Sequence, residues 1–146
     1  MRLITVLLTI SLFAISSQAY SRDTKHMLSI QEAMESANFK EKLDPSISFY
    51  FGKQSHPKTI KSFGTFPTNK KTNSLNKSDE GACQWVLLSA LLALQKRAIN
   101  EGANAVVDIV SYYKRNTFSS ETEYECHAGT IMSGVALSGT VVKLAK

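Results

Sequence analysis

The apolar positions begin with a run from Leu3 to Ile15, preceded by the single charge of Arg2 and followed by the small residues Ser17 and Ala19 ahead of Tyr20. That order is the three-part pattern of a secretory signal peptide. The run is about 13 residues long, short of the roughly 20 that a membrane-spanning helix needs. The expected organisation is a signal peptide at residues 1–19 and one exported domain over 20–146. The domain is expected in the periplasm or secreted, with no membrane span after cleavage.

Within the domain the period of the pattern changes several times. In "SIQEAMESANFKEKLDP" (29–45), Ile30, Ala33, Met34 and Ala37 fall at helical spacing. Ser29 can cap that helix, Glu32 completes a capping box, and Pro45 marks a stop. In "SISFYFGK" (46–53), Ile47, Phe49 and Phe51 alternate with Ser46, Ser48 and Tyr50, a strand pattern. "TIKSFGTF" (59–66) can pair with it as a hairpin across "QSHP". Residues 67–78 are rich in Asn, Lys, Thr and Ser and read as an exposed loop.

The strongest signal follows. Ser78 or Asp79 can cap a helix whose middle, "WVLLSALLAL" (85–94), is apolar on nearly every side. Such a helix must be covered by a sheet and a further element. Lys96 and Arg97 lie toward its end, where the helix dipole favours cations. Gly102 can take the left-handed conformation that ends it. "ANAVVDIVSYY" (103–113) and "TEYECHAGTIMSGVALSGTVVKL" (122–144) are β-rich. Gly129, Gly134 and Gly139 mark bulges or close backbone approaches in the second. The fold class expected is α+β: a small mixed sheet packed on one long buried helix, with a shorter N-terminal helix and a hairpin.

Charge adds one feature. The chain carries 17 Lys and Arg against 12 Asp and Glu, a net +5, and several lysines cluster between Lys53 and Lys77. A basic surface can attract anionic polymers, but interleaved aromatics of a single-strand nucleic-acid binder are missing. A solvated surface is the favoured reading, and an anionic cell-envelope component the minority one.

Chemistry turns on "EYECHAG" (123–129). Along a strand, Tyr124, Cys126 and Ala128 share one face and Glu123, Glu125 and His127 the other. Cys126 is expected to point inward and His127 outward. One other cysteine exists, Cys83, in the first turns of the long helix. Two cysteines in an exported chain favour a disulfide. Two free buried thiols, or a reactive Cys83 acidified near the helix N-terminus, are the alternatives. The row Glu123, Glu125, His127 could offer O, O and N ligands to a metal, against an ordinary solvated strand face. Asp108, between Val106 and Val110, reads as a hydrogen-bonded structural carboxylate. His26, His56 and His127 are scattered, and no phosphate loop, Gly-x-Ser-x-Gly or His-Glu-x-x-His occurs. No catalytic residue and no cofactor is assigned.

"ACQWVLLSALLALQKRAINEGANAVVDIVSYYK" and "EYECHAGTIMSGVAL", with the earlier "KLDPSISFYFG", are similar to a family of small exported proteobacterial proteins of unknown function, often labelled "excinuclease ATPase subunit". The likeness covers most of the exported part, and the chain has no nucleotide-binding motif to support that label. The second half also resembles a cytosolic family named for heavy-metal binding (YbjQ-like), through Gly102, Ala103, Asn104 and Ala105. It resembles the outer-membrane stress-sensor lipoproteins of the Rcs phosphorelay (RcsF-like) as well, through Cys83 and through Cys126 with Gly134. In those lipoproteins the matching cysteines are bonded, which implies a Cys83–Cys126 pair here. The lipidated Cys and second disulfide are missing, so anchoring and signalling are not implied. The heavy-metal relatives form rings, so a homo-oligomer is compatible with the resemblance. The motif also has a physical reading: Gly102 ends the helix, and small Ala103 and Ala105 let the chain turn tightly into the sheet.

The function expected is a non-enzymatic binding or interaction module of the cell envelope, its partner an envelope protein or an anionic envelope component and not a nucleic acid. The alternative is a metal-binding or redox-responsive envelope protein.

Overall fold

The computed structural model describes residues 21–146. The export signal expected at residues 1–19 lies outside them. The chain enters as strand β1 (Thr24–Ser29), which passes directly into the short helices α1 (Ile30–Glu35) and α2 (Ala37–Lys42). Ser29 caps α1 by accepting from Glu32 N, as its sequence position predicts. One helix was expected over this stretch. Ser36 divides it, with extended backbone (ψ 150°) and a hydroxyl donating to Ala33 O at 2.7 Å. Serine competes with the helix for backbone partners in this way.

Strand β2 (Ser48–Phe51) follows, then β3 (Thr59–Asn73), the long helix α3 (Asp79–Glu101), β4 (Ala105–Ser111), β5 (Glu123–Ala128) and β6 (Met132–Leu144). The strands form one mixed sheet of order β1-β5-β6-β4-β2, with β3 along the other side of β6. The hairpin expected between residues 46–53 and 59–66 does not form. β2 runs parallel to β4, with Phe49 opposite Val106, while β3 is antiparallel to β6. Both partners lie far away in the sequence, where local turn signals carry no information.

The loop expected at 67–78 is also corrected. Residues 67–73 continue β3 in unbroken register with β6. β3 is an edge strand, and over residues 67–73 it is polar on both faces, so that part of the sequence shows no apolar alternation to mark it. Pro67 did not end the strand, because at a sheet edge its missing N–H can face outward.

The two ends of helix α3 fall where its sequence predicts. Ser78 Oγ accepts from Gly81 N, and Gly102 takes φ 73° at the C-terminus, its N–H returning to Ala98 and Ile99 carbonyls. Leu87, Leu91 and Leu94 are fully buried, in one core with Val135, Leu137 and Val141 of β6 and Phe39 of α2. Gly139 permits close packing here, since a Cβ at that position would lie 2.7 Å from the Val106 side chain. The helix is not covered all round: Trp85 is 44% and Ile99 48% exposed.

Cys83 and Cys126 are bonded, with Cα atoms 5.9 Å apart. Both are fully buried, so the bond fastens α3 to β5 inside the core. Among the described residues, no helix is long and apolar enough to cross a membrane.

Candidate functional site

Strand β5 places Tyr124, Cys126 and Ala128 in the core, as the alternation predicts. Its other face is not the solvated row expected. Glu123 is exposed, but the Glu125 side chain is only 10% and that of His127 only 13% accessible. Two flanking segments cover them. β1 pairs alongside, Lys25 opposite His127 and Met27 opposite Glu125. From beyond β4, a 3₁₀ turn at Tyr113–Arg115 lays the Tyr113 ring flat on His127, centroids 3.4 Å apart and planes 11° apart. That turn is held in an unusual conformation, with Lys114 at φ 50° and Arg115 at φ 64°, a backbone region that costs a non-glycine residue about 1–2 kcal/mol.

Both nitrogens of His127 meet carboxylates: Nδ1 lies 2.9 Å from Asp23 Oδ1, and Nε2 2.5 Å from Glu125 Oε1. The Tyr113 hydroxyl donates to Asp23 Oδ2 at 3.1 Å. The imidazolium can donate to both carboxylates, whereas the neutral ring can donate to only one. The His127 hydrogen bond holds the Asp23 carboxyl below its usual range, and burial pushes the Tyr113 phenol up. Glu125 and His127 thus meet each other and His127 also meets Asp23, while Glu123 is exposed. Among the described residues no group of three or more such side chains is arranged to hold a metal ion.

A second cluster gathers on Asp79, one turn before Cys83 in α3. Arg22 donates through both Nη atoms to Asp79 (2.8 and 2.9 Å) and through Nη2 to Gly129 O, and His26 Nε2 lies 2.8 Å from the same carboxylate. Asp79 is the first residue of α3, where helix amides favour negative charge. His26 is directly opposite Cys126 in the sheet, and Cys83 lies one turn beyond Asp79. The hydrogen bonds from Arg22 and then His26 pull Asp79 from 3.8 to about 2. A carboxyl lowered on folding stabilises above its unfolded pKa and loses that contribution as pH falls through the folded one. Stability is therefore expected to drop between about pH 4 and about pH 2, in part through this residue. Asp79→Asn should flatten the curve there in urea titrations, and an unchanged slope would contradict the assignment.

Sequence reasoning did not find Arg22, Asp23 or Tyr113 as site residues. Nothing local marks them, because they come from the segment just ahead of β1 and from the turn after β4. Asp108 is also placed differently than expected. It is exposed, at φ 51°, on the bulge between Val107 and Val110. The Gly102–Ala105 motif is filled out by Asn104, whose side chain bonds Leu144 both ways: Nδ2 donates to its carbonyl at 3.1 Å, and Oδ1 accepts from its N–H at 2.7 Å. Gly134 lies between His127 and Lys71 on neighbouring strands and leaves open the floor of a cleft of about 560 Å³.

The third feature is β3 itself. On β6, the Ala136 and Val142 carbonyls accept from Tyr112 and Asn104 on the β4 side. Backbone groups alternate sides along a strand, so odd-numbered residues of β6 face β3. Their β3 partners are Phe66, Thr68, Lys70 and Thr72. Pro67, Asn69 and Lys71, opposite even-numbered residues, turn their backbone groups outward. Among the described residues no strand pairs with that edge. Between it and α3 runs a groove of about 370 Å³ lined by Phe66, Thr68, Lys70, Ala93 and Arg97. Arg97 lies 4.0 Å over the Phe66 ring and also bonds Glu101 at 3.0 Å. Residues 45–78 hold six lysines and no Asp or Glu.

The chain matches no family model, no curated protein and no solved structure.

Proposed function

We propose that the chain is an exported, non-enzymatic binding module that presents a basic sheet edge to an envelope protein or an anionic envelope component. The observation that carries this reading is β3: a long strand, with one edge that no described strand pairs, inside a stretch with lysines and no acidic residue. The disposition of the reactive groups agrees with it. Both cysteines are bonded to each other, His26 and His127 are engaged by carboxylates, and His56 Nδ1 lies 2.8 Å from Pro57 O. None of the three histidines is paired with a Ser, Thr or Cys nucleophile in these contacts. The resemblance to exported proteins of unknown function and to the Rcs stress-sensor lipoproteins also fits an envelope setting.

The test is capture from envelope fractions on the immobilised protein, beside a variant carrying Lys61→Glu, Lys70→Glu and Lys71→Glu. The reading predicts a component retained by the native protein, released by salt and absent from the variant. Equal retention on both baits would overturn it.

A further inference from the structure

We propose that the partner docks through an extended acidic peptide segment, added as a new strand to β3 over residues 68–73; this rests on the binding reading above and names its partner class. Three observations meet at that edge. First, Asn69 and Lys71 turn their N–H and C=O groups outward, so an added strand can bond to both residues, while Pro67 offers no donor and limits pairing upstream. Second, the edge is one wall of a groove whose other wall is α3. In strand addition the main chain supplies affinity, and pockets for alternate side chains supply selectivity. Here every second side chain of the added strand falls toward Thr68, Lys70, Ala93 and Arg97.

Third, the charges select the occupant. Lys70 faces the groove side and Lys71 the opposite side, and β3 carries no acidic residue. A second copy of β3 would bring lysines against lysines, and like charges directly opposite are destabilising. Lysines on an edge strand keep like chains apart in this way. Acidic side chains on the incoming strand have cations on either face. Arg97 also pairs with Glu101 on the partly exposed surface of α3, outside the groove lining.

The test uses a short synthetic peptide alternating Glu with Val or Thr, and a second of the same sequence N-methylated at alternate residues, so that charge is kept and strand bonding is lost. The plain peptide should bind the purified protein saturably, slow amide exchange at Asn69 and Lys71, and lose affinity in Lys70→Glu/Arg97→Glu. The N-methylated peptide should bind at least about tenfold more weakly. Equal binding of both peptides, with no change in amide exchange, would overturn strand addition and leave only a basic surface. Binding of neither peptide, with envelope capture still lost on charge reversal, would overturn the peptide class while the binding reading stands.

Discussion

Cys126→Ser is expected to lower stability by about 2–4 kcal/mol, and Cys83→Ser by a similar amount. The bond closes a loop across 43 residues, from the first turns of α3 to β5, and the loop-entropy estimate for that length is roughly 4 kcal/mol. Against a typical domain stability of about 5–15 kcal/mol this is a large share. The double substitution should cost little more than either single one, because both singles remove the same bond. Urea unfolding of the three variants gives the comparison. Two independent, additive losses would mean two separately packed thiols.

His127→Ala is expected to be nearly as damaging, at about 2–4 kcal/mol. The Glu125 carboxylate is only 10% accessible and lies 2.5 Å from His127 Nε2. Removing the partner of a buried carboxylate strands it, at about 3–5 kcal/mol for a fully buried ion pair; the residual accessibility here trims that figure. The Tyr113 ring also loses the surface on which it stacks. Adding Glu125→Gln should recover part of the loss, since a neutral amide is cheaper to leave without its partner. A change within about 0.5 kcal/mol, usual for an exposed position, would mean that this face is solvated after all.

The elements legible in the sequence were those whose signals are local. Helix α3 carries a cap at Ser78, a stop at Gly102 and an apolar centre, and each sits in the structure where the sequence puts it. The inward placement of Cys126 follows from simple alternation along β5, and the disulfide was favoured from the expected export and the cysteine count. What could not be read was pairing. β2 joins β4 across about 55 residues, and β3 joins β6, so neither choice leaves a turn signature. The polar stretch after Pro67 resembles a loop because an edge strand with no buried face needs no apolar alternation. β1 escaped notice for a similar reason, since most of its side chains are only partly buried.

The site was half legible. The row Glu123, Glu125 and His127 was read as an ordinary solvated strand face, with metal ligation as the alternative. The burial of Glu125 and His127 depends on Asp23 and on the Tyr113 turn, distant in sequence and brought over β5 only by the tertiary fold. The alternation correctly put the two side chains on the same face. It could not say that another segment covers that face.

The central claim is that residues 67–73 form a strand with one free edge, and residue-resolved hydrogen exchange on the unliganded protein tests it most directly. Amides of Thr68, Lys70 and Thr72, which face β6, should be protected, while those of Asn69 and Lys71 exchange fast. Uniformly fast exchange would mean a loop, and uniform protection would mean that the edge is already covered; either result contradicts the account.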